Sequence, residues 1–371
     1  MKIFRNPEQR GSLLVLSIWV LALLAVFIFS VGATVRHFID ALGRLETRDQ
    51  LRWVAHAASR QVMGVLDLKS PDATPWYDAW SDPWRNGTSV FKQIRVGNGF
   101  FSIGRGFPEP AAAANSSADL TEPAFYGLSD EESKLNINAF TDADELGAFI
   151  NKVTSADLQA ASEIGASIID WCDTDNHVTP GGAERNYYRV RTPSYAAKDA
   201  PINSLDELLL VKGITPALYL QLKPHVTIYG NGQVNLNTAS EAVLQAYKLP
   251  ESLTQKIVSF RDTGGVFYSV QEVADKLGQS EALTEDETAA LAAAIRKNQL
   301  TVWSDYFGFQ GMARINYRPE WLFFEGVYQR YVGLKKWQEK AGVGRKVFLP
   351  GPKQEPLEKT AGAAERRVKI L

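Results

Sequence analysis

Arg10-Gly11-Ser12-Leu13-Leu14-Val15-Leu16-Ser17-Ile18-Trp19-Val20 is the stretch on which the reading of this chain turns. Lys2, Arg5 and Arg10 precede the break, and no further charge appears until Arg36. From Ser12 to Ala33 the chain is almost wholly apolar. About 22 residues rising ~1.5 Å each span roughly 33 Å, the thickness of a bilayer's hydrocarbon core. The basic start sets the N-terminus inside and sends the remainder outward. A secretory signal would carry a shorter apolar run with a small-residue cut after it. Here the conspicuous break, Gly11|Ser12, lies before the run, so a cut there leaves the hydrophobic helix on the mature chain.

The helix is expected to continue past the membrane. Arg36 to Leu68 is amphipathic, with no proline before Pro71. Glu46, Asp49, Arg52 and Arg60 suit a polar face, and Leu45, Val54, Val62 and Leu66 suit one that packs on a domain. This arrangement resembles the prepilins. The resemblance implies a leader at 1–11, cleavage between Gly11 and Ser12 by prepilin peptidase, methylation of Ser12, and an N-terminal helix over 12–68 with its membrane span at 12–33. Prepilins usually have Glu fifth after the cut, thought to meet the free amine of the subunit ahead, because an unpaired charge in a bilayer is costly. This chain has Leu16. A subunit with Leu16 needs no neighbour ahead of it, which suits a tip.

The 371 residues suffice for two cored domains, and a net charge of -2 gives no global basic field to recruit nucleic acid. A lone cysteine, Cys172, excludes an internal disulfide, and it reads as a small buried residue. His37, His56, His177 and His225 have no ligand spacing. No phosphate loop, zinc-protease motif or serine elbow is present, so nothing points to an enzyme.

Beyond the helix, Gly97-Asn98-Gly99 between apolar runs predicts a hairpin. Ala111–Ser117 is a small-residue linker. Strand patterns return at Gln299–Trp303, Ala313–Tyr317 and Trp321–Tyr328. Between them Ser204-x-x-Glu207, Thr238-x-x-Glu241, Ser269-x-x-Glu272 and Thr284-x-x-Glu287 predict four capping boxes. The expected organisation is α+β: an α/β domain at 69–140 and 299–334, an inserted all-helical domain at 141–298, and a flexible basic tail at 335–371.

Asp130-Glu-Glu-Ser-Lys-Leu-Asn-Ile-Asn, Ile168-Ile-Asp-Trp-Cys-Asp-Thr-Asp, Gly182-Ala-Glu-Arg-Asn-Tyr-Tyr, Leu205-Asp-Glu-Leu-Leu-Leu-Val-Lys-Gly-Ile and Val234-Asn-Leu-Asn-Thr-Ala occur in this order. Together with the start that lacks Glu, they resemble the minor pseudopilin K family of type II secretion systems. The resemblance covers about residues 10 to 335. It implies a pseudopilin α/β fold with an all-helical insertion, and a single-pass place in the inner membrane with the large domain in the periplasm. It also implies a place at the pseudopilus tip with minor pseudopilins I and J, supporting export of folded proteins across the outer membrane. The remaining partners implied are prepilin peptidase, the major pseudopilin and the inner-membrane assembly platform.

Leu205–Val226 and Asn235–Leu277 read as helix-hairpin-helix units, the second resembling competence-type DNA-binding domains. A DNA-uptake or type IV pilus-type minor pilin is therefore the rival function. Such hairpins bind phosphate through backbone N–H groups at a Gly-x-Gly turn. Here Lys212-Gly213-Ile214-Thr215-Pro216 lacks the second glycine, and Leu249-Pro250-Glu251-Ser252 lacks both. No nucleic-acid partner is expected.

Asp170, Asp173, Asp175 and Glu184 place hard oxygen ligands on a Gly/Pro-rich loop, as Ca²⁺ requires. The resemblance implies calcium in the insertion without fixing its ligands. Helix capping and turn formation would use the same residues. Asp130, Glu131 and Glu132 are expected to form a solvated acidic turn.

Overall fold

The computed structural model describes residues 8–68, 76–107, 122–279 and 281–343. Leader residues 1–7, the linker 111–117 and the chain from 344 onward lie outside the described residues, as do the side chains of Gly11 and Ser12.

Helix α1 (Glu8–Leu66) runs through 59 residues, about 88 Å at the α-helical rise. Every side chain from Leu14 to Leu42 is exposed, and among the described residues this helix is long and apolar enough to cross a membrane. An apolar rod without packing partners among the described residues is suited to hydrocarbon rather than water. Further along, Thr47, Leu51, Val54, Ala55, Ala58, Val62 and Leu66 are buried. Their spacing of mostly three and four residues makes one stripe. Val54, Val62 and Leu66 lie on it as expected, whereas Leu45 stays 59% exposed. At about 100° per residue, Leu45 stands roughly 200° from the buried Thr47 and faces away from the sheet.

The strands in chain order are β1 (Ile94–Val96), β2 (Gly99–Arg105), β3 (Phe125–Tyr126), β4 (Ser129–Asp130), β5 (Leu135–Asn136), β6 (Val226–Thr227), β7 (Val234–Asn235), β8 (Leu300–Thr301), β9 (Tyr306–Ile315), β10 (Glu320–Gln329) and β11 (Gly333–Val343). An antiparallel sheet of order β1-β2-β9-β10-β11, with β3 beside β2 and β4 beside β9, packs under α1. The predicted hairpin forms β1 and β2, pairing Val96 with Gly99 across Gly97, whose φ of +56° suits glycine. Alternation sends Phe101, Ile103, Phe307, Phe309, Ala313, Ile315, Leu322 and Phe324 into the core beneath the helix.

Strand β11 occupies residues that the sequence reading placed in a flexible tail from 335. Its lysines suggested a solvated segment, but an edge strand accommodates lysines while alternate residues face inward. Trp337 stacks on Phe324 and on His56 of α1, both with ring centroids 5.2 Å apart, and Glu339 pairs with Arg52 at 3.0 Å. The sheet therefore extends to Val343.

The insertion has its own core around Ile150, Ile164, Tyr188, Leu208, Leu244 and Ile257. After the short α2 (Thr88–Phe91), its helices are α3 (Ala143–Val153), α4 (Leu158–Cys172), α5 (Arg185–Arg189), α6 (Pro216–Leu222), α7 (Glu241–Ala246), α8 (Glu251–Asp262), α9 (Val273–Gly278) and α10 (Glu285–Arg296). Two predicted capping boxes form, Ser204 with Glu207 and Thr284 with Glu287. The other two do not. Ser240 caps α7 while the Thr238 hydroxyl donates to Asp130, and Glu272 accepts from the Tyr268 N–H and pairs with Lys276. The insertion also reaches beyond 141–298, because β5 pairs with β6 and β7 with β8, both in parallel. Strands of two residues carry no alternation for a sequence reading to find.

Candidate functional site

The acidic loop is built by two helix ends. Asp170 lies in the last turn of α4, Asp173 is its C-cap, and Glu184 is the N-cap of α5. The chain between them turns back so that ligand oxygens of Asp170, Asp173 and Glu184 lie within 4.8 Å of one another. Asp170 is fully buried and accepts from the Thr179 N–H at 3.1 Å. Gly182 is required at the crossing, since a Cβ there would sit 2.1 Å from Asp170 Oδ2. Lys212 closes the loop from outside, donating to the carbonyls of Gly181 and Gly182 at 2.8 and 3.3 Å.

Asp175 is not part of this cluster. It is exposed, and its Oδ1 accepts from the His177 N–H at 2.7 Å in a local turn. Three of the four predicted residues therefore meet, and the fourth serves the turn. Asp199, which no spacing in the sequence singles out, lies beside them and pairs with Arg185 at 2.7 Å. Burial first, then the neighbouring carboxylates, pushes Asp173 and Glu184 above the ordinary carboxylate range. Asp173 Oδ1, Glu184 Oε1 and Asp199 Oδ1 are buried without hydrogen-bond partners. Converging hard oxygens that lack donors fit a divalent cation of the Ca²⁺ type.

A second polar cluster joins the insertion to the sheet. Asp130, Glu131 and Glu132 are only 3%, 4% and 6% exposed, which corrects the expectation of a solvated turn. Asp130 Oδ2 accepts from Thr238 Oγ1 at 2.5 Å, Ser304 Oγ at 2.8 Å and Asn235 Nδ2 at 3.2 Å. Glu131 accepts from Thr227 and Lys134, both at 2.6 Å, and Glu132 accepts from the N–H groups of Asp305 and Tyr306. Behind them Arg330 makes a two-pronged pair with Asp78 at 2.8 and 2.9 Å, both side chains buried. Burial pushes Asp130 up to about 6 against the pull of its hydroxyl donors. The acidic turn at 130–132 and Asn235–Thr238 are thus one polar knot between the sheet and the insertion, and this gives those two motifs a physical role.

The hairpins offer little to phosphate. Thr215 Oγ1 already accepts from the Leu218 N–H at the start of α6, where Pro216 has no N–H to give. Helix α8 starts behind Pro250 with Glu251 in its first turn, which opposes an anion at that end. Gly11, Ser12 and Leu16 lie within α1, and Leu16 is exposed on its charge-free part.

The sequence pattern described as type II secretion system (T2SS), protein K matches residues 133–231, the segment from the acidic turn through the acidic loop to β6. A type II secretion system protein K of Aeromonas hydrophila is 25% identical over 339 residues, covering 89% of this chain and 97% of that one. The chain is similar to the protein K family of type II secretion, and these likenesses support the role of a minor pseudopilin of that system. A Klebsiella pneumoniae protein K is also 25% identical, over 264 residues, covering 67% of this chain and 73% of its own. The fold is that found in the crystal structure of the GspK-GspI-GspJ complex from enterotoxigenic Escherichia coli, with a TM-score of 0.60 at 18% identity, covering 81% of this chain and 99% of that one. A helix-hairpin-helix motif matches residues 230–286, where α7 and α8 form the second hairpin.

Proposed function

We propose that this minor pseudopilin stands at the tip of a periplasmic pseudopilus, assembled with minor pseudopilins I and J, and that it acts by assembly rather than catalysis. The observation that carries this reading is α1: an exposed stretch without charge from Leu14 to Val35, with Leu16 where a carboxylate would need a partner ahead, continuous with a part fastened to the sheet. Inner-membrane anchoring with the large domain in the periplasm follows from the basic residues ahead of the span. Export of folded proteins across the outer membrane is the work such a tip would serve. The major pseudopilin, the assembly platform and prepilin peptidase are the further partners. Co-expression with I and J is the test: a complex of all three should be recovered through this chain. Failure to recover it, together with salt-dependent binding of duplex DNA, would favour the DNA-uptake reading.

Cleavage is expected between Gly11 and Ser12. A bulky residue in place of Gly11 should leave the full-length chain in the membrane, and N-terminal sequencing of the mature protein should begin at Ser12. A mature start at Ala33 or later would overturn the prepilin reading. Leu16→Glu should not improve assembly, because a new carboxylate without an amine ahead costs about 2–3 kcal/mol in the bilayer. Better incorporation of that variant would remove the argument for a tip.

We further propose calcium as the ion that Asp170, Asp173 and Glu184 would hold, with Asp199 beside them. It would neutralise carboxylates that repel one another and tie the end of α4 to the start of α5.

A further inference from the structure

An open groove of about 750 Å³ runs between the face of the sheet opposite α1 and the arm of the insertion that carries Ser204–Asp206 and Leu220–Pro224. Gly308 of β9 and Val327 of β10, paired in register, form part of its floor. The carboxylates that reach it are already engaged: Glu131 with Lys134 at 2.6 Å, Glu325 with Lys336 at 3.0 Å, and Asp206 with the Tyr219 hydroxyl at 2.5 Å. Its other cations, Arg105, Lys223 and Lys335, have no such carboxylate among the described residues. Arg105 and Lys223 instead lie over the rings of Phe125 and Tyr219, and Arg105 Nε is buried without a hydrogen-bond partner. Leu220, 63% exposed, gives the wall an apolar contact surface.

We infer that this groove docks an extended acidic segment of a partner protein, its carboxylates meeting Arg105, Lys223 and Lys335 and an apolar side chain resting on Leu220. Charge complementarity selects this occupant. The chain's own residues after Val343 include Arg345, Lys346, Arg366, Arg367 and Lys369, and so carry the groove's own sign.

The test uses the full chain in detergent and a fluorescein-labelled peptide of alternating glutamate and valine, followed by anisotropy at increasing salt. Binding should weaken with salt, and Lys223→Glu/Lys335→Glu should lower affinity by about tenfold or more. Arg95→Glu/Lys297→Glu, equal in charge but on exposed residues outside the groove, should change it by no more than about twofold. Equal losses in both double variants would overturn the proposal, as would equal binding of a lysine–valine peptide or binding to protein-free micelles alone. If the peptide binds only after truncation at Val343, the chain's own C-terminal segment is the occupant and the inference fails. Thermal unfolding of each double variant at the parent temperature excludes misfolding as the cause.

Discussion

Arg330→Met is expected to lower the unfolding free energy by about 3–5 kcal/mol, the usual cost of leaving one member of a buried ion pair behind. Arg330 is 2% exposed, and its two terminal nitrogens hold both oxygens of Asp78. It also donates to the Ser304 carbonyl at 2.8 Å, and the Ser304 hydroxyl donates to Asp130. Methionine keeps much of the volume but strands the Asp78 carboxylate and an acceptor in the interior. The loss should reach across the junction, since Asn235 on the insertion bonds to the Asp78 carbonyl, Asp130 and Ser304. Denaturant unfolding followed by near-UV circular dichroism measures it. The double variant Asp78→Leu/Arg330→Met should recover part of the stability, because both charges then leave together. A single variant within about 1 kcal/mol of the parent would show that the pair does not hold the junction.

Saturating calcium is expected to stabilise the protein by about 2.7 kcal/mol at a hundredfold excess over the dissociation constant. External calcium sites are weak, on the order of 10⁻⁴–10⁻³ M, so millimolar additions are the relevant range. The structure separates residues that the sequence treated alike. Asp173→Ala removes a buried oxygen of the cluster and should abolish the calcium-dependent rise in melting temperature. Asp175→Ala breaks only the turn contact with His177 and should keep it. A full calcium response in Asp173→Ala would place the ion elsewhere. Loss of the response in Asp175→Ala would mean that Asp175 turns inward as a ligand.

Segments that rely on long, regular patterns were legible from residues alone. The run from Ser12 to Ala33 declared a membrane-length helix, and Val54, Val62 and Leu66 declared the stripe that packs on the sheet, because both signals repeat over many turns. Leu45 was misplaced since a stripe drawn through few residues tolerates a phase error that only packing corrects. The hairpin at Gly97–Gly99 and the boxes at Ser204 and Thr284 were readable because capping and turn chemistry is local. Thr238 was read as a cap by the same local rule, but a distant Asp130 competes for its hydroxyl.

By itself, then, the sequence determined the membrane-length helix, the division into a sheet-bearing part and a helical insertion, and the resemblance to protein K of type II secretion. It also singled out the carboxylates of the acidic loop without separating the three that converge from the one that serves the turn. The tertiary structure alone decided that Asp175 stands apart while Asp199 stands near, that Asp130–Glu132 are buried, and that 333–343 is an edge strand. These depend on contacts between residues far apart in the chain, such as Arg330 with Asp78 and Trp337 with His56. Burial and charge environment are properties of what surrounds a side chain after folding, and spacing along the chain does not encode them.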